Sequence, residues 1–261
     1  MMTLTSDNYH TIEANKAYWS VSQYKAFDRC EAAGLAMCQG TYDREETTAL
    51  LVGSYVDQAF TGNLGEFALN HPEIFNSRTG DLKADYKHAV TMIEAVRRQP
   101  VAMEYLRGEN QVIRTAKLFD VDWKIKIDVL KDDCIVDLKT VKDFGSIYED
   151  GFGRRSWIEY WGYDIQGAIY QRIEQISSGR DKPLPFYIVA VTKEKIPDVK
   201  VIQIPQYHLD AVLKIVESKI DRFDLVKQGL VEPNRCEVCD YCKQTKVITE
   251  PEVYEMEEGE S

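Results

Sequence analysis

Positive charge is in short supply. The 261-residue chain carries 32 Lys and Arg against 43 Asp and Glu, a formal net charge of −11. A polyanionic partner usually selects a basic protein, so this balance taken alone argues against nucleic acid. No apolar run approaches the ~20 residues that cross a bilayer as a helix, and no membrane role is expected. The first twenty residues, MMTLTSDNYHTIEANKAYWS, lack both an apolar core and a small-residue cleavage site, so no secretory signal is expected and a cytoplasmic setting follows. Thiols stay reduced there, and the six cysteines point to metal rather than to disulfides. The chain has no Pro/Gly/Ser-rich linker and no internal repeat. Its four histidines, His10, His71, His88 and His208, are scattered without metal-ligand spacing and read as surface residues.

The acidity is concentrated at one end. EPEVYEMEEGES, residues 250–261, holds six Glu and no base, which leaves 37 acids against 32 bases over residues 1–249. We expect one domain over 1–249 and a disordered, solubilising acidic tail over 250–261. Apolar spacing and caps predict helices over 20–40, 45–60 and 83–98. Short Val/Ile-rich runs at 112–120, 123–130 and 133–140 read as three strands. A Gly-rich loop over 145–155, a helix over 157–177, strands at 186–192 and 199–204, and a helix over 207–228 complete an α/β order with helices on both sides of a sheet.

The most informative stretch is WKIKIDVLKDDCIVDLKT, residues 123–140. With the turn at Asp132–Asp133, antiparallel partners have numbers that sum to 265, so Asp128 lies opposite Asp137 and Lys126 opposite Lys139. Alternation puts these four side chains on one face and gives the other an expected core stripe of Ile125, Ile127, Val129, Val136 and Leu138. Directly opposed carboxylates sit about 5 Å apart at Cβ and repel unless something positive lies between them. A divalent cation meets that need. Mg²⁺ takes oxygen ligands and keeps several waters, so Asp128, Asp137 and a carbonyl such as that of Leu138 suit it. Lys139 can then orient or deprotonate a water, or stabilise charge developing at phosphorus. The plain alternative is a solvated hairpin face with scattered charges.

An Asp near the end of one strand followed by Asp137-Leu138-Lys139 in the next resembles the signature of PD-(D/E)xK nucleases. The α-β-β-β-α-β order matches their restriction-endonuclease-like αβββαβ core, a mixed central sheet flanked by helices. Gln166-Gly-Ala-Ile-Tyr170 resembles the Q-x-x-x-Y motif of the RecB-like branch; the two side chains share one helical face and can position substrate. That branch also carries Gly-x-x-x-His on an upstream helix. Here it reads Gly53-Ser-Tyr-Val-Asp57, with a carboxylate that suits Mg²⁺ or Mn²⁺ in place of the imidazole. The chain resembles RecE-like exodeoxyribonucleases of phages and prophages. The resemblance implies a Mg²⁺-dependent DNA exonuclease of phage-type recombination or repair, acting on linear DNA with free ends beside a single-strand annealing or recombination protein. The rival reading is a catalytically inactive DNA-binding or assembly module on the same fold.

Cys236, Cys239 and Cys242 form C-x-x-C-x-x-C, a pitch at which three thiols can converge on one metal; Cys30 is the candidate fourth ligand. The set resembles the iron–sulfur staple of some RecB-family nucleases, which implies a 4Fe–4S cluster. Zinc on the same thiols, and free thiols in a reduced core, remain alternatives. Cys38 and Cys134 read as lone buried cysteines. Arg154 and Arg155, in a loop with aromatic neighbours, and Lys193, at the end of a buried strand, are candidate phosphate contacts.

Overall fold

The structure is a computed structural model and describes residues 2–43, 47–149 and 152–251. Most of the acidic tail, from residue 252 on, lies outside them. Helices α1 (Ile12–Ala17), α2 (Val21–Arg29), α3 (Glu31–Gln39), α4 (Thr48–Thr61), α5 (Leu64–Asn70), α6 (Ala84–Arg97) and α7 (Pro100–Tyr105) precede the strands β1 (Glu109–Leu118), β2 (Val121–Leu130) and β3 (Ile135–Val141). A small hairpin follows, β4 (Ile147–Glu149) and β5 (Gly153–Arg155). After it come α8 (Trp157–Tyr160), α9 (Tyr163–Ser178), β6 (Phe186–Thr192), β7 (Val199–Gln203), α10 (Gln206–Lys227) and α11 (Asp240–Gln244).

The main sheet runs β1-β2-β3-β6-β7. β3 and β6 are parallel and the other neighbours antiparallel, so the sheet is mixed, as expected. The crossover from β3 to β6 carries α9. β6 is buried at nearly every residue, as a strand covered on both faces must be. One core layer joins α2, α9 and α10 to the sheet through Phe27, Ile169, Phe186 and Phe223. A second joins α4, α6 and α7 to the other face through Val56, Met92, Val136 and Val189.

Four expectations need correction. The helix expected over 20–40 is two helices. Cys30 has φ −164° and ψ 110°, an extended residue that serves as C-cap of α2 and N-cap of α3. The helix expected over 157–177 also breaks, at Trp161–Gly162, where Gly162 takes φ 61°, a conformation glycine adopts without strain. The expected core stripe divides: Ile125 and Ile127 join the first core layer, and Val129, Val136 and Leu138 the second. The switch falls at Asp128. The β1 residue that the β1–β2 register would set opposite it, Gln111, has φ 55° and drops out of that ladder. The loop expected over 145–155 contains the β4–β5 hairpin.

The α2–α3 elbow depends on a close helix approach. A Cβ at Gly34 would lie 2.6 Å from the Phe27 ring and 2.8 Å from the Phe27 backbone nitrogen. The nitrogen belongs to backbone and cannot swing aside. Gly34→Ala is therefore expected to destabilise the fold by about 1–3 kcal/mol, read as a lower denaturant midpoint with an unchanged slope. An unchanged midpoint would show that the elbow tolerates opening.

Candidate active site

The β2–β3 register is the expected one: Val129 pairs with Val136 and Leu130 with Ile135. Past those pairs the strands part. The Asp128 carboxylate bridges the opening by accepting the Leu138 backbone N–H at 3.0 Å. The N–H and C=O of one strand residue point to the same side, so the Leu138 carbonyl also faces this opening. Further along, the backbone of Trp19 takes the neighbour's place beside β2, donating to Asp122 O at 2.7 Å and accepting from Lys124 N at 2.8 Å. A cavity of about 500 Å³ fills the space between the strands. Asp128, Asp137, Lys139, Gln166 and Tyr170 all line it, with α2, α3 and the segment around Tyr9 as the opposite wall.

Asp137 is the buried centre, with 1% of its surface exposed. Its Oδ1 accepts from Gln166 Nε2 at 2.6 Å, and the Lys139 ammonium lies 2.5 Å from its Oδ2. Asp57 comes from α4, where Gly53 one turn earlier allows the approach: a Cβ there would meet Thr140 Oγ1 of β3 at 3.2 Å. Asp57 Oδ2 accepts from Gln111 Nε2 at 3.4 Å.

Burial pushes the Asp57 carboxyl up to about 6, and Asp137 adds to the rise against the opposing pull of Lys139 and Lys126. Burial also raises Asp128 well above the usual carboxylate range, reinforced by Asp137 and Asp57. Burial alone would lower Lys139, but Asp137 and Asp128 outweigh it and hold the ammonium above its ordinary value. Asp128 and Asp137 line one cavity, Asp57 lies close enough to repel Asp128, and Asp137 Oδ2 is engaged by the Lys139 ammonium. Carboxylate oxygens are the donors a hard divalent cation takes, and Asp128, Asp137 and the Leu138 carbonyl, with Asp57 beside them, are the groups that would hold one.

The other anion contacts expected from sequence lie elsewhere. Arg155 pairs with Glu149 at 2.7 Å and donates to Glu159 O. Arg154 donates to Ser146 Oγ, and Lys193 to Ala49 O at the start of α4. None of the three lines the cavity. Besides Lys139, the lysines that do are Lys25, Lys124 and Lys126, beside His10. Burial draws Lys25 down to about 8, with Lys139 adding to the fall and Asp137 opposing it. Lys124 is sunk beneath Tyr9, donating to Tyr9 O and, at 2.7 Å, to Asn15 Oδ1. Strand alternation already put Lys126 on the face of Asp128, and Lys124 shares its parity. Nothing local in the sequence announced Lys25 or Tyr9, whose place depends on contacts more than a hundred residues away.

The four expected cysteines also meet. The sulfurs of Cys30, Cys236, Cys239 and Cys242 all lie within 4.8 Å of one another. Cys38 and Cys134 are free and buried.

Residues 20–245 match the family model of a PDDEXK-like domain of unknown function, DUF3799. The chain belongs to this PDDEXK-like family. The crystal structure of a putative exonuclease from Eubacterium rectale resembles this PDDEXK-like chain along nearly all of its length, at 41% identity, with 97% of each chain covered and a TM-score of 0.92. No curated protein matches it. The matched span of the PDDEXK-like domain holds every site residue expected from sequence.

Proposed function

We propose that the protein is a metal-dependent deoxyribonuclease, an exonuclease that hydrolyses phosphodiester bonds from the ends of linear DNA. The observation that carries this reading is the convergence of Asp128, Asp137, Lys139 and Gln166 in one cavity. Family membership and the similarity to a protein described as a putative exonuclease support it. A bound Mg²⁺ or Mn²⁺ would supply Lewis-acid polarisation of the phosphate and a more acidic water.

The chain's own residues supply the rest. Asp128 is anchored by the Leu138 N–H, and Asp137 by the Gln166 amide. Both carboxylates are thus held in place before any ligand arrives. Lys139, beside Asp137, is positioned to orient the attacking water and to stabilise charge developing at phosphorus. Gln166 and Tyr170, one turn apart on α9, face the cavity as neutral groups that can hydrogen-bond a phosphate oxygen without adding charge. Lys25 on the wall opposite the acids, and Lys126 beside Asp128 on β2, give the cavity positive character, which suits the strand next to the scissile bond. We place the activity in phage-type recombination or repair, alongside a single-strand annealing or recombination protein.

The test is degradation of end-labelled linear and covalently closed circular DNA with Mg²⁺, Mn²⁺ or EDTA. Loss of linear DNA with either metal, sparing of circles and inactivity in EDTA are expected. Cutting of circles would replace exonuclease with endonuclease. Binding without any hydrolysis would favour the inactive module.

A further inference from the structure

We infer that Cys30, Cys236, Cys239 and Cys242 hold a single tetrahedral ion of the zinc class, not the four-iron cage that the RecB-like resemblance implies. A tetrahedron with metal–sulfur bonds of about 2.3 Å places its sulfurs ~3.8 Å apart. Here Cys30 Sγ lies 3.6 Å from Cys242 Sγ, and Cys236 Sγ lies 3.9 Å from Cys242 Sγ. In a cubane each thiolate binds a different iron, and the cage between them spreads the four sulfurs well beyond the 4.8 Å that bounds this set.

The surroundings fix that spacing. Backbone N–H groups turn the C-terminal thiols toward one point: Cys239 N donates to Cys236 Sγ at 3.3 Å and Cys242 N to Cys239 Sγ at 3.5 Å. Opposite them, α3 is tied to the same segment. Glu31 accepts both arms of Arg222 at 2.8 Å and the Asn234 N–H at 2.7 Å. Ala32 N donates to Asn234 O at 3.1 Å, and Arg235 donates to Cys242 O at 2.7 Å. To admit a cage, the four sulfurs would have to spread apart against backbone that these clamps hold in place. A single ion needs no such movement.

The position matters beyond the ion itself. Cys30 is the extended residue between α2 and α3, and both helices line the catalytic cavity, with Lys25 on one and Met37 on the other. The ion therefore anchors the elbow that forms the cavity wall.

The test needs no DNA. The full chain is purified anaerobically, and its zinc, iron, acid-labile sulfide and visible spectrum are measured. We expect about one zinc per chain, no sulfide and no brown colour. Cobalt reconstitution should give the intense visible bands of a tetrahedral thiolate site, lost in Cys30→Ser. About four iron with matching sulfide per chain would overturn the inference. So would a chain that binds neither zinc nor cobalt while its circular dichroism shows it folded.

Discussion

Lys139→Ala is expected to lower the rate of metal-dependent DNA degradation by on the order of 10²- to 10⁴-fold, the range a positioned acid–base or charge-stabilising group contributes. Asp137→Ala should lose at least as much. Asp137 is the group on which the site converges, engaging Gln166 through one oxygen and Lys139 through the other. Removing it takes a ligand from the proposed ion and frees both partners. Lys139→Ala leaves the carboxylates in place, so DNA and metal should still bind while turnover falls. The two variants are thus separable: Asp137→Ala should weaken metal binding, and Lys139→Ala should lower kcat with little change in KM. Circular dichroism and thermal unfolding would confirm that both are folded. Parent-like digestion by both would remove the assignment of this cavity as the catalytic one.

Mg²⁺ is expected to raise the melting temperature strongly at pH 7.5 and weakly at pH 5. At a hundredfold excess over Kd, binding contributes about 2.7 kcal/mol. At ~2–4 °C per kcal/mol for a chain of this size, that is roughly 5–10 °C. The pH dependence follows from the carboxylates. Asp57 and Asp128 are both raised in the folded protein, Asp57 to about 6. A carboxyl raised on folding binds its proton more tightly in the native state than in the unfolded one. Its contribution is present below the unfolded value and is lost as pH rises through the folded one. The metal-free protein should therefore lose stability as pH rises from about 4 through the Asp57 value of about 6, and further as Asp128, raised well above the usual range, gives up its proton. Mg²⁺ should restore that stability, because it ligates the ionised carboxylates and competes with their protons. Asp128→Asn should flatten the metal-free curve and blunt the Mg²⁺ effect. Equal stabilisation at both pH values, or an undiminished effect in Asp128→Asn, would detach the cation from these carboxylates.

The β2–β3 hairpin was legible because a short antiparallel turn leaves one register once its position is chosen. The pairing of Val129 with Val136 follows from arithmetic on residue numbers. Gln166 and Tyr170 were legible because helical spacing keeps them on one face. What escaped was set by distant contacts. Alternation assigned Ile125, Ile127 and Val129 to one core stripe, but the irregular backbone at Gln111 opposite Asp128 divides them between two layers. Ser20 to Gly40 reads as one helix because no local breaker interrupts it. The break at Cys30 comes with partners near the other end of the chain. Lys124 has the parity of a site residue, yet its ammonium is committed to Tyr9 and Asn15, which no pattern around Lys124 could indicate. The net charge of −11 was a poor guide to partners for a related reason: several of those acids are gathered in one cavity.

Cys30 and Cys242 are 212 positions apart in sequence, and that separation imposes an order on biosynthesis. A chain leaving the ribosome presents the α2–α3 elbow early, but the three thiols that complete its anchor emerge only after the whole sheet. Closing so long a loop removes more entropy from the open chain than closing a short one, so the late thiols exert a strong constraint. The wall of the cavity is secured only once residues 236–242 have been made, and a chain clipped before them would carry the acidic cluster without a fixed enclosure around it.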